Sequence, residues 1–87
     1  MRQIRMNDGS EYPVTLCGAS GPSLCINLVG CFSVLEIAGA FSDASKTSEI
    51  TFISPDESTK YTGYTRLYGV VQGSPENTNI LVTMLKG

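Results

Sequence analysis

Apolar residues recur along this chain at two periods, and the switch between them marks out its elements. The helical period occurs once. Val34, Ile37, Ala38 and Phe41 stand at i, i+3, i+4 and i+7, which is one face of a helix, and Leu35 widens the stripe. Ser33 precedes the stripe and Glu36 lies three residues on. In that spacing the serine hydroxyl accepts from the Glu36 N–H and the carboxylate reaches back to the Ser33 N–H. Gly39 interrupts the helix at a cost of about 1 kcal/mol relative to alanine, unless a neighbour packs closely there. A helix over 33–41 is too short to persist alone in water, so it needs a sheet to lie on.

The remaining segments alternate with period two. Residues 3–6 put Ile4 and Met6 on one side, and residues 11–17 put Tyr12, Val14 and Leu16 inward. Asn7-Asp8-Gly9-Ser10 joins them as a hairpin turn, because Asp-Gly supplies positive φ. Pro13 cannot donate a ladder hydrogen bond, which predicts an edge strand or a bulge. Residues 18–23 read as a loop. Leu24, Ile26 and Leu28 form the inward row of a third strand, with Cys25 and Asn27 opposite, and Gly30 ends it. Beyond the helix, 42–48 is a polar connector, and 49–53 is a strand with Ile50 and Phe52 on one face. Residues 54–58 form a loop, and 60–72 read as one long strand or two joined at Gly63. Gly73-Ser74-Pro75-Glu76-Asn77 is a turn. Residues 79–86 close the chain as a strand apolar on both faces, hence central or covered by a partner. The pattern predicts a single α+β domain over 1–87 with element order βββαβββ. It is a small antiparallel sheet, or a partly open barrel of about six strands, covered by one short helix.

Composition adds a surface to this outline. Only 16% of the 87 residues are charged, and a surface so poor in charge suits cover by another copy or a partner, which predicts a homo-oligomer. Net charge is −2, and the cations Arg2, Arg5, Lys46, Lys60, Arg66 and Lys86 are scattered. A protein that grips duplex nucleic acid clusters its cations against phosphates, so none is expected as a partner. No apolar run approaches the length of a membrane span and no signal peptide is visible, so no membrane partner is expected either. Cys17, Cys25 and Cys31 lack CxxC spacing, and there is no histidine to complete a zinc site. Three free thiols in a reducing compartment, no metal and no cofactor are the expectation, with a Cys17–Cys25 hairpin bridge as the alternative.

The absence of histidine also removes the commonest general base near neutral pH. Gly18-Ala19-Ser20-Gly21 starts like a nucleophile elbow, but Pro22 stands where the last glycine belongs. There is no Walker A and no GxGxxG, and Asp56-Glu57 reads as a solvated loop tip. The chain is therefore expected not to be an enzyme. Its best binding constellation is the run from Tyr61 through Gly63, Tyr64, Arg66 and Tyr68 to Gly69. On a regular strand Tyr64, Arg66 and Tyr68 project from one face. Two phenol rings flanking a guanidinium can stack on a planar ring and pair with a phosphate or carboxylate, and the glycines allow close approach. The run suits a small anionic, nucleotide-like ligand or a host protein; the plainer alternative is a strand with cross-strand aromatic pairs. A second candidate is the hydroxyl-rich loop with Asp43, Lys46 and Thr47, which offers donors to an anion or is simply a solvated connector.

The cadence Ile4-x-Met6-x-Asp8-Gly9-x-x-Tyr12, then Cys17-Gly18, Phe41-Ser42-Asp43 and Tyr61-x-Gly63-Tyr64-Thr65 resembles small β-rich proteins of tailed phages and prophages of Gram-positive gut bacteria. The resemblance implies a viral protein at work in the bacterial host cytoplasm or assembled into a virion. Small proteins of that group serve as virion or tail components, or as anti-defence inhibitors and sponges. The resemblance carries no functional residues with it.

Overall fold

The computed structural model describes residues 2–30, 32–73 and 79–87. Among them the elements run β1 (Gln3–Arg5), β2 (Glu11–Ser20), β3 (Ser23–Leu28), α1 (Val34–Phe41), α2 (Ala44–Thr47), β4 (Glu49–Ile53), β5 (Ser58–Thr62), β6 (Arg66–Gln72) and β7 (Ile80–Leu85). The strands form one sheet in the order β5-β4-β1-β2-β3-β7-β6, and every neighbouring pair is antiparallel. This is the expected small antiparallel sheet, with one strand and one helical turn more than the sequence pattern predicts. The extra strand arises because residues 60–72 divide around Gly63, whose φ of 85° takes the chain out of extended backbone. The turn 73–77 and Cys31 fall wholly or partly outside the described residues.

Only Gly63, Tyr64 and Thr65 separate β5 from β6, yet these strands occupy opposite ends of the sheet. So short a tether holds the two ends within about 15 Å of each other. The sheet therefore curls round on itself, and because β5 and β6 do not pair it stays open rather than closing as a barrel. The tether is fastened by the Gly87 N–H, which donates to the Gly63 carbonyl at 3.0 Å. Inside the curl lie Ile4, Val14, Leu24, Ile26, Leu28, Ile50, Ile80, Val82 and Met84, the inward rows of five strands. Helix α1 packs against β6 and pushes Ile37 and Phe41 into the same core. The Phe41 ring lies 5.8 Å from that of Tyr12, which also meets Phe32 edge-on at 5.6 Å.

The helix begins as its sequence predicts, with the Ser33 hydroxyl accepting from the Glu36 N–H at 3.0 Å. The stripe is narrower than expected. Leu35 does not join it and is 86% exposed, since about 200° of helical rotation separates it from Ile37. Nothing stands within 4 Å of where a Gly39 side chain would project, so close packing does not explain that glycine. The polar connector is not wholly irregular. Asp43 caps α2 by accepting from the Ser45 N–H at 3.0 Å, and Thr47 is buried beneath that turn. The β1–β2 turn docks here through Asn7, whose N–H and side-chain amide both donate to carbonyls of α2.

Strand β2 holds the main departure from simple alternation. Its register with β3 slips between Val14 and Leu16, leaving Thr15 as an extra residue. A bulge turns every later side chain over. Leu16 therefore points outward and is 58% exposed, while Cys17 takes the core position. The strand then continues through 18–20, the stretch expected as a loop. Pro13 lies two residues before the slip, and of the two expectations for it the bulge is what forms; β2 has β1 on one side and β3 on the other. Strand β7 is internal, between β3 and β6, which accounts for its two apolar faces.

Candidate binding surface

The outer face of β2, β3, β7 and β6 follows from the ladder registers. Leu16, Asn27, Leu81 and Val71 line up across the four strands as one row. Gly18, Cys25, Thr83 and Gly69 form the next row, and Ser20, Ser23, Leu85 and Arg66 the third. In the first row Leu16, Leu81 and Val71 form a ridge of exposed aliphatic side chains, interrupted by half-buried Asn27. The second is a row of small ones, and among the described residues none but the adjacent ones comes within 4 Å of the Cβ sites of Gly18 or Gly69. Arg66 is the only charged residue in the three rows.

The tyrosine–arginine constellation is divided by the fold. Tyr64 belongs to the tether rather than to a strand, and it is only 6% exposed in the core. Its ring meets Tyr61 edge-on at 6.3 Å and carries the Lys86 ammonium 5.4 Å above it. Tyr61, on β5, is half-buried beside it, and burial raises its phenol above the ordinary tyrosine value. Arg66 and Tyr68 do stay together. β6 also bulges, with Tyr68 the extra residue opposite Thr83, so Tyr68 joins the outer face at 74% exposure. The expected ring–guanidinium–ring platform is thus a single exposed ring beside a guanidinium.

The six cations are unequally engaged. Arg5, Lys46 and Lys60 form ion pairs with Glu11, Asp8 and Glu49. Arg2 donates to the Thr15 carbonyl and Lys86 sits over Tyr64. Of the six cations, Arg66 alone has a side chain with no ion pair, hydrogen bond or ring contact to the described residues. The second candidate group is turned inward on itself. The Ser45 hydroxyl donates to Asp43 at 2.7 Å, and the Ser45 hydroxyl and N–H together hold the Asp43 carboxyl below its usual value. Thr47 donates to the Asp43 carbonyl at 3.3 Å, and Lys46 leans on Asp8. Lys46 thus holds the β1–β2 turn against α2, while Asp43 and Thr47 bond within α2 itself.

Cys17 and Cys25 are free thiols. The bridge between them does not form, because Cys17 pairs with inward Ile26 while Cys25 lies opposite Gly18 on the outer face. Burial, with a smaller contribution from Cys25, pushes the Cys17 thiol from 9.0 up to about 12. At pH 8 its thiolate population is then about a thousandfold below that of an ordinary cysteine. Iodoacetamide at pH 8 should label Cys25 in the folded protein and leave Cys17 unlabelled until urea unfolds the chain. Peptide mapping showing equal rates at the two would contradict the inward position of Cys17. Among the described residues no group of three or more Cys, Asp or Glu is placed to hold a metal ion, and no helix is long and apolar enough to cross a membrane.

Among the described residues, two of the hollows on the surface bear on binding. One, of about 710 Å³, is lined by Arg2, Leu16, Phe52, Asp56 and Glu57 among others. The other, of about 270 Å³, lies among Asn27, Val71, Gly73, Asn79 and Leu81. Neither contains Arg66 or Tyr68, and the larger sets two carboxylates against one guanidinium. Comparison with protein families, with curated proteins and with solved structures finds no match to this chain.

Proposed function

We propose that this protein is a non-enzymatic binding protein, working as an oligomer, that captures an acidic surface of a host protein through Arg66 and Tyr68. The observation that carries this is the Arg66 guanidinium, which has no ion pair among the described residues, beside an exposed tyrosine and in three rows of side chains that hold no other charge. A guanidinium presents a planar fork of donors to a carboxylate and is weakly hydrated, so it gives up water at modest cost. Tyrosine supplies contact area with little conformational entropy to lose, and the pair is typical of interface anchors. A small nucleotide-like anion is less well served. Such ligands are held in concave sites that bury most of their surface, and Arg66 and Tyr68 stand on open sheet outside both hollows. The resemblance to small phage proteins supports a host defence protein as the target and the bacterial cytoplasm as the place of action.

Affinity capture from host lysate tests this with the parent protein, Arg66→Ala and Tyr68→Ala. Both positions are exposed, so both variants should melt like the parent, while the captured protein should fall at least about tenfold. Undiminished capture by both variants would refute the assignment. A structural subunit of a phage particle is the second reading, favoured by the aliphatic ridge on the outer face. Mass spectrometry of purified virions decides it, since a structural subunit must be present there in stoichiometric amounts.

A further inference from the structure

We infer that the larger of the two hollows seats an extended segment of another protein, which lies beside the second half of β2 as an added strand and alternates apolar with basic side chains. This site is separate from Arg66 and Tyr68 and uses neither. The unequal lengths of neighbouring strands create it. β1 has three residues and β2 has ten. β1 pairs with β2 from Arg5↔Glu11 to Gln3↔Pro13, and with β4 from Arg5↔Thr51 to Gln3↔Ile53. The last backbone bond on the β2 side runs from the Val14 N–H to the Arg2 carbonyl, at 3.1 Å. Past it, β2 continues to Ser20 with β3 on its far side, while β4 gives way to the loop at 54–57. Where β1 lies between them, β2 and β4 are two strand spacings apart, about 9.6 Å, so the gap opens at the width of one strand. The hollow of about 710 Å³ fills that gap, with Thr15 to Cys17 on one wall and Ser54 to Glu57 on the other.

Backbone chemistry says what fits there. In an antiparallel ladder successive residues turn their N–H and C=O groups to opposite sides. Past Val14, alternate residues of β2 therefore direct these groups away from β3 and towards the gap. Among the described residues no backbone pairs with them. The bond that does form is a substitute, in which the Arg2 guanidinium donates to the Thr15 carbonyl at 3.2 Å. A row of unpaired donors and acceptors is a template for a further strand. The lining then chooses the occupant. Cys17 belongs to the core and Phe52 packs against it, so the inner side of the gap is apolar. Asp56 and Glu57 are exposed and have no ion pair among the described residues. They outnumber Arg2, the one cation in the described lining. A strand sends successive side chains to opposite faces, so apolar residues can meet Phe52 while lysine or arginine between them meets the two carboxylates.

Nitrogen-15 correlation spectra of the protein, titrated to about 1 mM with N-acetylated, C-amidated Lys-Val-Lys-Val-Lys, test this. The amide signals of Cys17, Ala19, Asp56 and Glu57 should shift, with a dissociation constant on the order of 100 μM. The double variant Asp56→Asn/Glu57→Gln should fold as the parent does, because that turn is held by the Glu57 backbone bonding to Ser54. It should bind the peptide at least about tenfold more weakly. The same peptide N-methylated throughout keeps its charges but cannot donate to a ladder, and should leave the spectrum unchanged. Shifts centred on the hollow and lost in both controls support the added strand. An unshifted spectrum with the parent peptide, shifts centred on another part of the sheet, or equal binding in either control overturns it.

Discussion

Phe41→Ala should remove about 3–5 kcal/mol of stability, the largest single loss expected from any α1 residue. Phe41 is fully buried, and its ring is the contact by which α1 reaches Tyr12 across the interior of the curled sheet. A domain of this size has about 5–15 kcal/mol in total, so the variant should be largely unfolded at 37 °C or close to it. The loss combines the transfer cost of the ring with a cavity that a twisted sheet fills poorly. Leu35→Ala, on the opposite side of the same helix, should change stability by no more than about 0.5 kcal/mol, because Leu35 already faces water. Urea denaturation of both, read by circular dichroism, gives the comparison. Near-equal losses would mean that α1 is not a plug for the sheet.

The contrast between Phe41 and Leu35 shows what periodicity conveys. A 3.6-residue pattern locates the axis of an apolar stripe, and Ile37 and Phe41 lie on that axis. It does not give the stripe's width, which depends on how much of the helix circumference the sheet contacts. The strands follow the same logic. Leu24, Ile26 and Leu28 belong to a strand that carries no extra residue and pairs with β7 without a shift, so their inward row is legible in the sequence. Leu16 sits just past an extra residue, and from there the simple parity count is inverted. Pro13 signals the disturbance, yet a missing donor does not say whether a strand bulges or lies at an edge. The division of 60–72 is signalled by Gly63, but the sending of its halves to opposite ends of the sheet is decided by how β4 pairs with β1 and β7 with β3. Those are long-range pairings that no local pattern encodes.

The candidate surface is legible in part for the same reason. Arg66 and Tyr68 are correctly joined by strand spacing, because the bulge in β6 keeps Tyr68 on the outer side. Tyr64 is lost to the core because it precedes the strand and turns inward at the tether. The ridge and the row of small side chains beside it could not be seen beforehand at all. Their members come from four strands and align only through the registers, and Leu16 enters the ridge only because of the β2 bulge. The loop at 42–48 shows the converse error, in which donors that look available in sequence are satisfied by their neighbours once the turn forms.

Tyr64→Ala and Tyr68→Ala should therefore separate two roles that the sequence presents as one. Loss of the Tyr64 ring leaves a cavity where the tether crosses between the sheet ends, and removes the edge contact to Tyr61 and the Lys86 ammonium–ring contact. The cavity and lost transfer energy amount to about 3 kcal/mol for a buried aromatic, and the pair contact adds about 0.5–1.5 kcal/mol. The curl of the sheet depends on this tether, so the damage should spread: amide exchange should quicken in β5 and β6 before it does in β3. Tyr68→Ala should leave stability within about 0.5 kcal/mol of the parent, because its ring is in water, and should act on capture alone. Thermal melts and amide exchange distinguish the outcomes. A stable Tyr64→Ala would place that ring outside the core and restore the three-residue platform, whereas a destabilised one leaves Arg66 and Tyr68 as the proposed pair.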